Sequence, residues 1–222
     1  NRVRRQRQMC IRDRYNRSPV EFNELSNELI TTLLVTEDIR FYDHSGIDFK
    51  GLVRASYGVA KNVLTFGGSG LEGGGSTITQ QLAKNLFKIR REKKGKLSGV
   101  PFLGLVISKV KEWIVSIKLE EFYTKKEILA MYLNTAEYGS NSYGIKVAAK
   151  TYFDKLPSEL NFNESSIIVG LLNKPTKYNP YFNPDNAIEK RAEIFYNLFK
   201  YHVISREEYD TLSCLLYTSD AA

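Results

Sequence analysis

Apolar residues recur at intervals of three to four along most of the chain, which is the period of one buried face of an α-helix. In the first such stretch, Pro19 to Val35, the residues Phe22, Leu25, Leu29 and Leu33 follow this period. Stretches that alternate between apolar and polar residues, as half-buried strands do, are short and few. The pattern therefore predicts a mainly α-helical fold.

Capping signals indicate where further helices begin. Thr124 and Glu127 form the Thr-x-x-Glu box that opens a helix, Pro184 suits a first helical position, and Ser205 precedes Glu208 by the same box spacing. The helices predicted after the first cover residues 49–64, 76–87, 106–123, 125–134, 144–153, 164–173, 184–202 and 206–213, with a turn at residues 138–142.

The two ends of the chain do not continue this pattern. Residues 1–14 hold six arginines and one aspartate, and residues 214–222 are CLLYTSDAA. Both ends resemble translated adapter sequence, so we expect one domain over residues 15–213 between two non-native tails. The alternative for residues 1–14 is a basic patch beside a membrane.

Setting the tails aside changes what the composition implies. Most of the net charge of +7 lies in residues 1–14, so the remaining chain is only mildly basic. Both cysteines, Cys10 and Cys214, lie in the tails, which leaves the domain without a disulfide framework or a thiol nucleophile. The longest apolar stretch, residues 99–107, falls short of the ~18 residues of a membrane span. It could enter the interfacial layer of a membrane or form a buried loop.

Three clusters of polar residues could carry chemistry. The densest lies in residues 36–48, where Glu37, Asp38 and His44 stand close to Phe41. A carboxylate beside aromatic rings is partly desolvated, which suits it to general acid or base catalysis. The alternative is a capped loop with surface salt bridges.

The second cluster follows a glycine-rich loop at residues 67–75, which lacks the Gly-Lys-Ser of a nucleotide-binding P-loop. Ser76 is predicted to cap the helix that comes next. On that helix Thr77, Gln81 and Lys84 share a polar face, which suits sugar hydroxyls and a phosphate near the helix start. A solvated face is the alternative. The residues predicted to pack inward are Ile78, Leu82 and Leu86.

The third cluster is the pair Lys109 and Glu112, three residues apart on one face of the long predicted helix. The opposite face carries an apolar stripe of Val110, Trp113 and Ile117. The alternative is an ordinary surface ion pair.

Several other chemistries are disfavoured. The two histidines, His44 and His202, cannot build a multi-histidine metal site. No Gly-x-Ser-x-Gly elbow is present, and Ser76 has no histidine near it in sequence. A mildly basic domain without a recognition motif is not expected to bind nucleic acid.

Together the clusters resemble the glycosyltransferase domain of class A penicillin-binding proteins and monofunctional peptidoglycan glycosyltransferases, glycosyltransferase family 51. The first family motif, Glu-Asp-x-x-Phe-x-x-His-x-Gly, stands at residues 37–46. The second, Gly-x-Ser-Thr-Ile-Thr-Gln-Gln, stands at residues 74–81 and is followed by Lys84-Asn85. The fourth, Lys-x-Glu-Ile-Leu-x-x-Tyr-Leu-Asn, stands at residues 125–134. The resemblance extends from about residue 18 to residue 213.

Two motifs depart from the family. The third is usually Arg-Lys-x-x-Glu, and Ser108 replaces the arginine before Lys109. The residues that could take over the phosphate contact of that arginine are Arg90, Arg91 and Lys111. The fifth motif, an arginine before a Val-Leu pair, is reduced to Arg191, which we expect to be structural.

The resemblance implies a lysozyme-like, mainly α domain of two lobes, with a small membrane-facing jaw that includes the segment after Asp48 and the glycine-rich loop. It implies an enzyme, a peptidoglycan glycosyltransferase. The implied reaction joins lipid II into β-1,4-linked glycan strands, with inversion at the anomeric carbon and release of undecaprenyl diphosphate.

The resemblance also implies a location and partners. The location is the cytoplasmic (inner) membrane, with the catalytic domain on the periplasmic side. The implied partners are lipid II, undecaprenyl-diphosphate-linked glycan, the membrane surface, other cell-wall synthesis proteins and a transpeptidase domain of the same parent chain.

For the site, the resemblance implies that Glu37 is the base. Glu112 is the second catalytic carboxylate, which would orient a cationic clamp or bind a divalent ion, Mg²⁺ or Mn²⁺; no cofactor is expected to be required. Asp38 and His44 are expected to hold their loop in shape. The residues expected to bind substrate are Asp38, Phe41, His44, Thr77, Gln80, Gln81, Lys84, Asn85, Arg90, Arg91 and Lys109.

Two alternatives remain at this point. A lysozyme-like glycan hydrolase would use a glutamic acid with water attack and would need no phosphate clamp, which Lys84 and Lys109 argue against. A non-catalytic wall-binding domain would have no need of Glu37 and Glu112.

Overall fold

A computed structural model describes residues 19–54, 75–87 and 101–215, with side chains described from residue 107 in the last range. Within these ranges the fold is helical. No strand is present in the described residues, where an isolated antiparallel bridge joins Glu137 and Tyr143. The predicted mainly α fold is therefore confirmed.

The helices of the described residues follow one another with short connections. They are α1 (Asn27–Glu37), α2 (Ile78–Phe87), α3 (Pro101–Phe122), α4 (Lys125–Thr135), α5 (Ile145–Phe153), α6 (Phe162–Asn173), α7 (Pro184–Lys200) and α8 (Arg206–Leu215). Residues 49–54 are also helical. Single 3₁₀ turns lie at Phe22–Glu24, Phe41–Asp43 and Pro157–Glu159.

The core forms where α1 packs against α6 and α7, and where α2 packs against α3 and α4. Leu29 and Leu33 of α1 and Leu82 of α2 are fully buried within one continuous apolar cluster. Burying a leucine of this kind contributes about 1.5–3 kcal/mol. This packing brings the first and second polar clusters, far apart in sequence, to the same side of the core.

Several helix ends differ from the predicted ones, and capping explains the differences. Helix α1 begins at Asn27 rather than Pro19, because the Ser26 hydroxyl accepts a hydrogen bond from the Leu29 N–H at 3.1 Å. Helix α2 is capped by Thr77, whose hydroxyl accepts from the Gln80 N–H at 3.2 Å, and not by Ser76.

Other differences in the helices follow from local residue preferences and from packing. Helix α3 begins at Pro101, five residues earlier than predicted, and proline is favoured in a first turn. Leu86, predicted to pack inward, is 41% exposed, because α2 ends one residue later and no element covers it in the described ranges. The last helix continues to Leu215, two residues beyond its predicted end.

Helix α4 confirms the predicted capping box. The Thr124 hydroxyl accepts from the Glu127 N–H, and the Glu127 carboxylate accepts from the Thr124 N–H at 2.8 Å. These hydrogen bonds hold the pKa of Glu127 below its ordinary value. The predicted turn after α4 is also present, with Gly139, Ser140 and Asn141 in left-handed conformations.

The exposed apolar stripe of α3 consists of Val110, Ile114 and Ile117, at 41%, 52% and 48% exposure, whereas Trp113 of the predicted stripe is half-buried. Glu112 and Ser116 on another face are buried. Most of the predicted jaw, including residues 55–64 and the glycine-rich loop, lies outside the described residues. None of the helices within the described ranges has both the length and the hydropathy needed to cross a bilayer.

Candidate active site

At the end of α1 the side chains of the adjacent residues Glu37 and Asp38 have different surroundings. Asp38 follows the last residue of the helix and turns into the protein, where its side chain is 4% exposed. Its carboxylate accepts from the Ile78 N–H at 3.1 Å, at the start of α2, and contacts Nε2 of His44 at 3.0 Å. Because Nδ1 of His44 accepts from the Gly46 N–H, the proton lies on Nε2 and is donated to Asp38. This geometry makes Asp38 and His44 supports of the loop.

The Gly46 carbonyl is the second tie between the loop and α2. It accepts from the Thr77 hydroxyl at 2.8 Å and from the Gln80 side-chain amide at 3.2 Å. Gly46 has φ +87°, and a Cβ there would lie 2.9 Å from the Ser116 backbone of α3. Only glycine adopts this conformation at so close an approach without strain. Thr77 and Gln80 are thereby turned into the protein.

Lys125 also supports the loop that contains Phe41 and His44. Its ammonium donates to the His44 carbonyl at 2.5 Å, pairs with Glu120 at 2.8 Å and lies 4.3 Å from the centre of the Phe41 ring. Glu120 also accepts from the Thr79 hydroxyl at 2.6 Å. Phe41 is fully buried, so its ring anchors the loop within the core.

Glu37, in contrast, is half-buried and lies at the end of a short hydrogen-bonded chain. Tyr132 donates to the Gln81 side-chain oxygen at 2.8 Å, and the Gln81 amide donates to the Glu37 carboxylate at 2.8 Å. Burial, together with the negative charge of Glu37, raises the pKa of Tyr132 well above its ordinary value, so the phenol stays protonated. Tyr132 therefore fixes the orientation of Gln81, which in turn orients the carboxylate.

A cavity of about 580 Å³ opens beside this carboxylate. Its lining residues are Thr36, Glu37, Ser76, Gln81, Lys84, Asn85, Tyr132, Ala136, Glu137, Leu172, Asn173, Pro175, Lys190 and Glu193. Glu37 and Lys84 thus share one cavity. The ammonium of Lys84 is exposed and has no ion-pair or hydrogen-bond partner among the described residues, which leaves it available for an anion.

Lys109 adjoins the cavity through Ser76. Its ammonium donates to the Ser76 hydroxyl at 3.0 Å and to the Glu112 carboxylate at 2.7 Å, and the Glu112 side chain is 8% exposed. The described residues contain no group of three acidic, histidine or cysteine side chains that could hold a metal ion. Lys109 contacts one oxygen of the Glu112 carboxylate, and a divalent cation at Glu112 stays a prediction.

The predicted site residues therefore fall into three groups. Glu37, Gln81, Lys84 and Asn85 line the cavity, and Lys109 adjoins it. Asp38, Phe41, His44, Thr77 and Gln80 lie beneath it, so any direct contact of theirs with a substrate stays a prediction. Arg90 and Arg91 lie outside the described residues.

The sequence analysis missed the opposite side of the cavity. Lys190 and Glu193 of α7 line it and form an ion pair at 2.8 Å, and Asn173 lines it from the end of α6. In the sequence, the i, i+3 spacing of Lys190 and Glu193 beside Arg191 is the signal that could have indicated this pair. Arg191 itself is buried and donates to Asn163, and burial lowers its pKa, in keeping with the expected structural role.

An oriented carboxylate and an ammonium with no partner among the described residues can remove a proton from a hydroxyl while an anionic group is held nearby. A site of this kind is compatible with an enzyme that transfers sugars. A family model described as transglycosylase matches residues 4–199. The chain belongs to the transglycosylase family.

Curated relatives agree with this assignment. The chain is 38% identical over 194 residues to penicillin-binding protein 1A of Haemophilus influenzae, which covers 87% of this chain and 21% of that protein. It is 34% identical to penicillin-binding protein 1A of Escherichia coli, with the same coverage. It is 37% identical to penicillin-binding protein 1F of Bacillus subtilis, over 81% of this chain and 22% of that protein.

The chain thus spans about a fifth of the length of these relatives. Among solved structures, the crystal structure of penicillin-binding protein 1A from Haemophilus influenzae aligns at 38% identity with a TM-score of 0.39. That alignment covers 41% of this chain and 14% of the solved chain.

Proposed function

We propose that this domain is a peptidoglycan glycosyltransferase that polymerises lipid II into β-1,4-linked glycan strands. The observation that carries the proposal is that Glu37, held by Gln81, shares a cavity with Lys84, whose ammonium has no partner within the described ranges. The relatives are penicillin-binding proteins, and the transglycosylase model matches residues 4–199 of this chain.

Glu37 acts as the base. It removes the proton of the 4-hydroxyl of the acceptor sugar as that oxygen attacks C1 of the donor sugar. Attack from the face opposite the leaving group inverts the anomeric carbon. The bond from C1 to the diphosphate oxygen breaks, and undecaprenyl diphosphate leaves with the electron pair.

Cations on the cavity wall stabilise that leaving group. Lys84 lines the cavity and can contact the diphosphate. Lys109 donates to the hydroxyl of Ser76, which also lines the cavity. Charge-assisted hydrogen bonds of this kind strengthen as negative charge develops on the leaving oxygens. Glu112 keeps Lys109 in place at 2.7 Å. Arg90 and Arg91 are proposed to extend the clamp.

The same proposal places the domain at the periplasmic face of the cytoplasmic membrane, where a lipid-linked donor is available. The exposed stripe on α3 would lie against the bilayer surface. Other cell-wall synthesis proteins and a transpeptidase domain are proposed partners. No step of the mechanism passes through a divalent cation, and a requirement for Mg²⁺ or Mn²⁺ stays a prediction.

Glu37→Gln tests the proposal with little change of shape, because the new amide oxygen can still accept the Gln81 hydrogen bond. We expect polymerisation of lipid II in detergent to fall by about 10²–10⁴-fold, the range that general-base catalysis contributes. The matched control is Glu28→Gln, at the opposite end of α1, which should retain full activity.

Other results would contradict the proposal. A wild-type chain that degrades preformed glycan and makes none would be a hydrolase. A chain that binds glycan and shows no turnover, with or without Glu37, would be a wall-binding domain. Full polymerase activity in Glu37→Gln would remove Glu37 from the role of base.

A further inference from the structure

An aromatic platform lies on the segment that leaves the cavity. Tyr181 is 64% exposed although one face of its ring is stacked on Tyr152, with ring centres 5.5 Å apart and planes at 18°. Phe182, the next residue, is 69% exposed. Two neighbouring exposed aromatic rings form an apolar surface on which a ligand can stack.

The platform is held rigidly. Asn179 is almost fully buried, and its side-chain oxygen accepts from the Tyr181 N–H at 3.0 Å. Its amide donates to the Tyr152 hydroxyl and to the Ser140 hydroxyl, both at 3.1 Å. A ring fixed in this way loses little conformational entropy when a ligand stacks on it.

The platform lies close to the cavity. Pro175 lines the cavity, and its carbonyl packs against Gly139, where a Cβ would lie 2.6 Å away. Gly139 also packs against the Asn179 amide that holds the platform. Tyr181 follows Pro175 by six residues, so a chain of sugars that leaves the cavity on the Pro175 side would meet the open face of Tyr181.

The chemistry of the platform suits a saccharide. The C–H groups on the face of a pyranose carry partial positive charge and stack on the negative face of an aromatic ring. The exposed hydroxyl of Ser140 beside the ring can bond to a sugar hydroxyl. A lipid surface would instead favour a longer apolar face, such as the stripe of Val110, Ile114 and Ile117 on α3.

We propose that Tyr181, backed by Tyr152 and flanked by Phe182, is a saccharide-binding site that holds sugars of the glycan strand outside the cavity. The choice of a β-1,4-linked amino-sugar strand as the ligand rests on the proposed function. The site itself performs no chemistry, and it would retain the strand between successive additions.

A soluble probe tests the binding site without any turnover. The β-1,4-linked hexamer of N-acetylglucosamine would be titrated into the full 222-residue chain by calorimetry. We expect Tyr181→Ala to weaken binding about five- to tenfold, as expected for the loss of one stacked ring, and Tyr181→Trp to retain it. Tyr123→Ala is the matched control, since Tyr123 is an exposed tyrosine at the far end of α3. Equal thermal unfolding of the variants would show that each is folded.

A second measurement separates this site from the active site. Glu37→Gln should bind the hexamer as the wild type does while making no polymer, and Tyr181→Ala should start polymer at the wild-type rate but release shorter strands. If the chain has no polymerase activity but its hexamer binding depends on Tyr181, the proposed function is wrong and the saccharide site is still supported. Absence of hexamer binding, or equal binding by wild type and Tyr181→Ala, would overturn the site.

Discussion

The near wall of the cavity, formed by the end of α1, the Gly46 turn and the start of α2, is tied together by hydrogen bonds between residues 31 to 44 positions apart. The far wall, formed by the end of α6 and by α7, presents the pair Lys190 and Glu193 from a single helix. The Glu193 side chain is 58% exposed, whereas the Asp38 side chain behind the near wall is 4% exposed.

This difference separates two requirements of one site. A catalytic base must be held within a fraction of an ångström of the hydroxyl it deprotonates. The hydrogen bonds that hold Glu37, the proposed base, through Gln81 and Tyr132 suit that requirement. On the far wall Lys190 is buried while its partner Glu193 is exposed, so the Glu193 carboxylate can move away from the pair at little cost. We therefore expect substitutions of the buried residues behind the near wall to lower stability, and substitutions in the far wall to change activity more than stability.

The largest effect on this comparison is expected from Asp38→Ala. Removing the carboxylate leaves the Ile78 N–H and the His44 ring N–H without their partner, and each buried donor left unsatisfied costs about 1–3 kcal/mol. Urea unfolding followed by circular dichroism measures the loss. Asp43→Ala, an exposed acid in the same turn, is the control and should change stability by less than about 0.5 kcal/mol. Equal midpoints for the two variants would show that Asp38 does not support the loop.

The next largest loss of stability is expected from Gly46→Ala, with Gly170→Ala as the comparison. Gly46→Ala should cost about 2–4 kcal/mol, since its left-handed φ is unfavourable for alanine and the new Cβ meets the Ser116 backbone. Gly170→Ala, in helix α6, brings a Cβ to 3.4 Å from the movable Lys190 side chain and gains helix propensity. Its stability should stay within about 1 kcal/mol of the wild type. Thermal unfolding of both would show whether the near wall is the less tolerant, and a Gly170→Ala variant as unstable as Gly46→Ala would contradict this.

A smaller effect is expected from Lys190→Met on the far wall. Its partner Glu193 remains hydrated when the ammonium is lost, so the free energy of unfolding should change by less than about 1 kcal/mol. Loss of one cation from the cavity should lower kcat/KM for lipid II polymerisation about tenfold, or 1.4 kcal/mol of transition-state stabilisation. Lys150→Met breaks an exposed pair with Asp154 away from the cavity and should leave kcat/KM unchanged. Equal activities would exclude Lys190 from substrate binding.

The smallest effect concerns the pH dependence of the near wall. Burial acts to raise the pKa of Asp48, but hydrogen bonds from Arg40 and the Gly51 N–H outweigh it and lower the pKa below the ordinary 3.8. A carboxyl whose folded pKa is lowered contributes stability above its unfolded pKa and loses that contribution as the pH falls through the folded value. Because the pair is partly exposed, the contribution is less than about 1 kcal/mol.

Asp48→Asn should remove this dependence. Wild type and variant would be unfolded in urea at a series of pH values between neutrality and about pH 2. The difference in stability should be largest above pH 3.8 and should shrink below it. A stability difference between wild type and variant that stays constant over the whole pH range would show that Arg40 does not lower the pKa of Asp48 in the folded protein.

Local signals predicted much of the fold and half of the site. The capping box at Thr124 and the period of apolar residues placed α4 and α7 within two residues of their observed ends. Glu37, Gln81 and Lys84 were predicted from motifs, and the structure brings them to one cavity. Lys190 and Glu193 were missed, since an i, i+3 ion pair is as common on plain surfaces as in binding sites.

Local sequence predicts the set of helices, most of their caps and the polar cluster that contains Glu37, because helical period and capping depend on residues a few positions apart. Packing between distant segments turns Glu37 to the cavity while it buries its neighbour Asp38, and it leaves the apolar stripe of α3 exposed. Both outcomes depend on which elements pack against each other across the chain, and no local pattern contains that information.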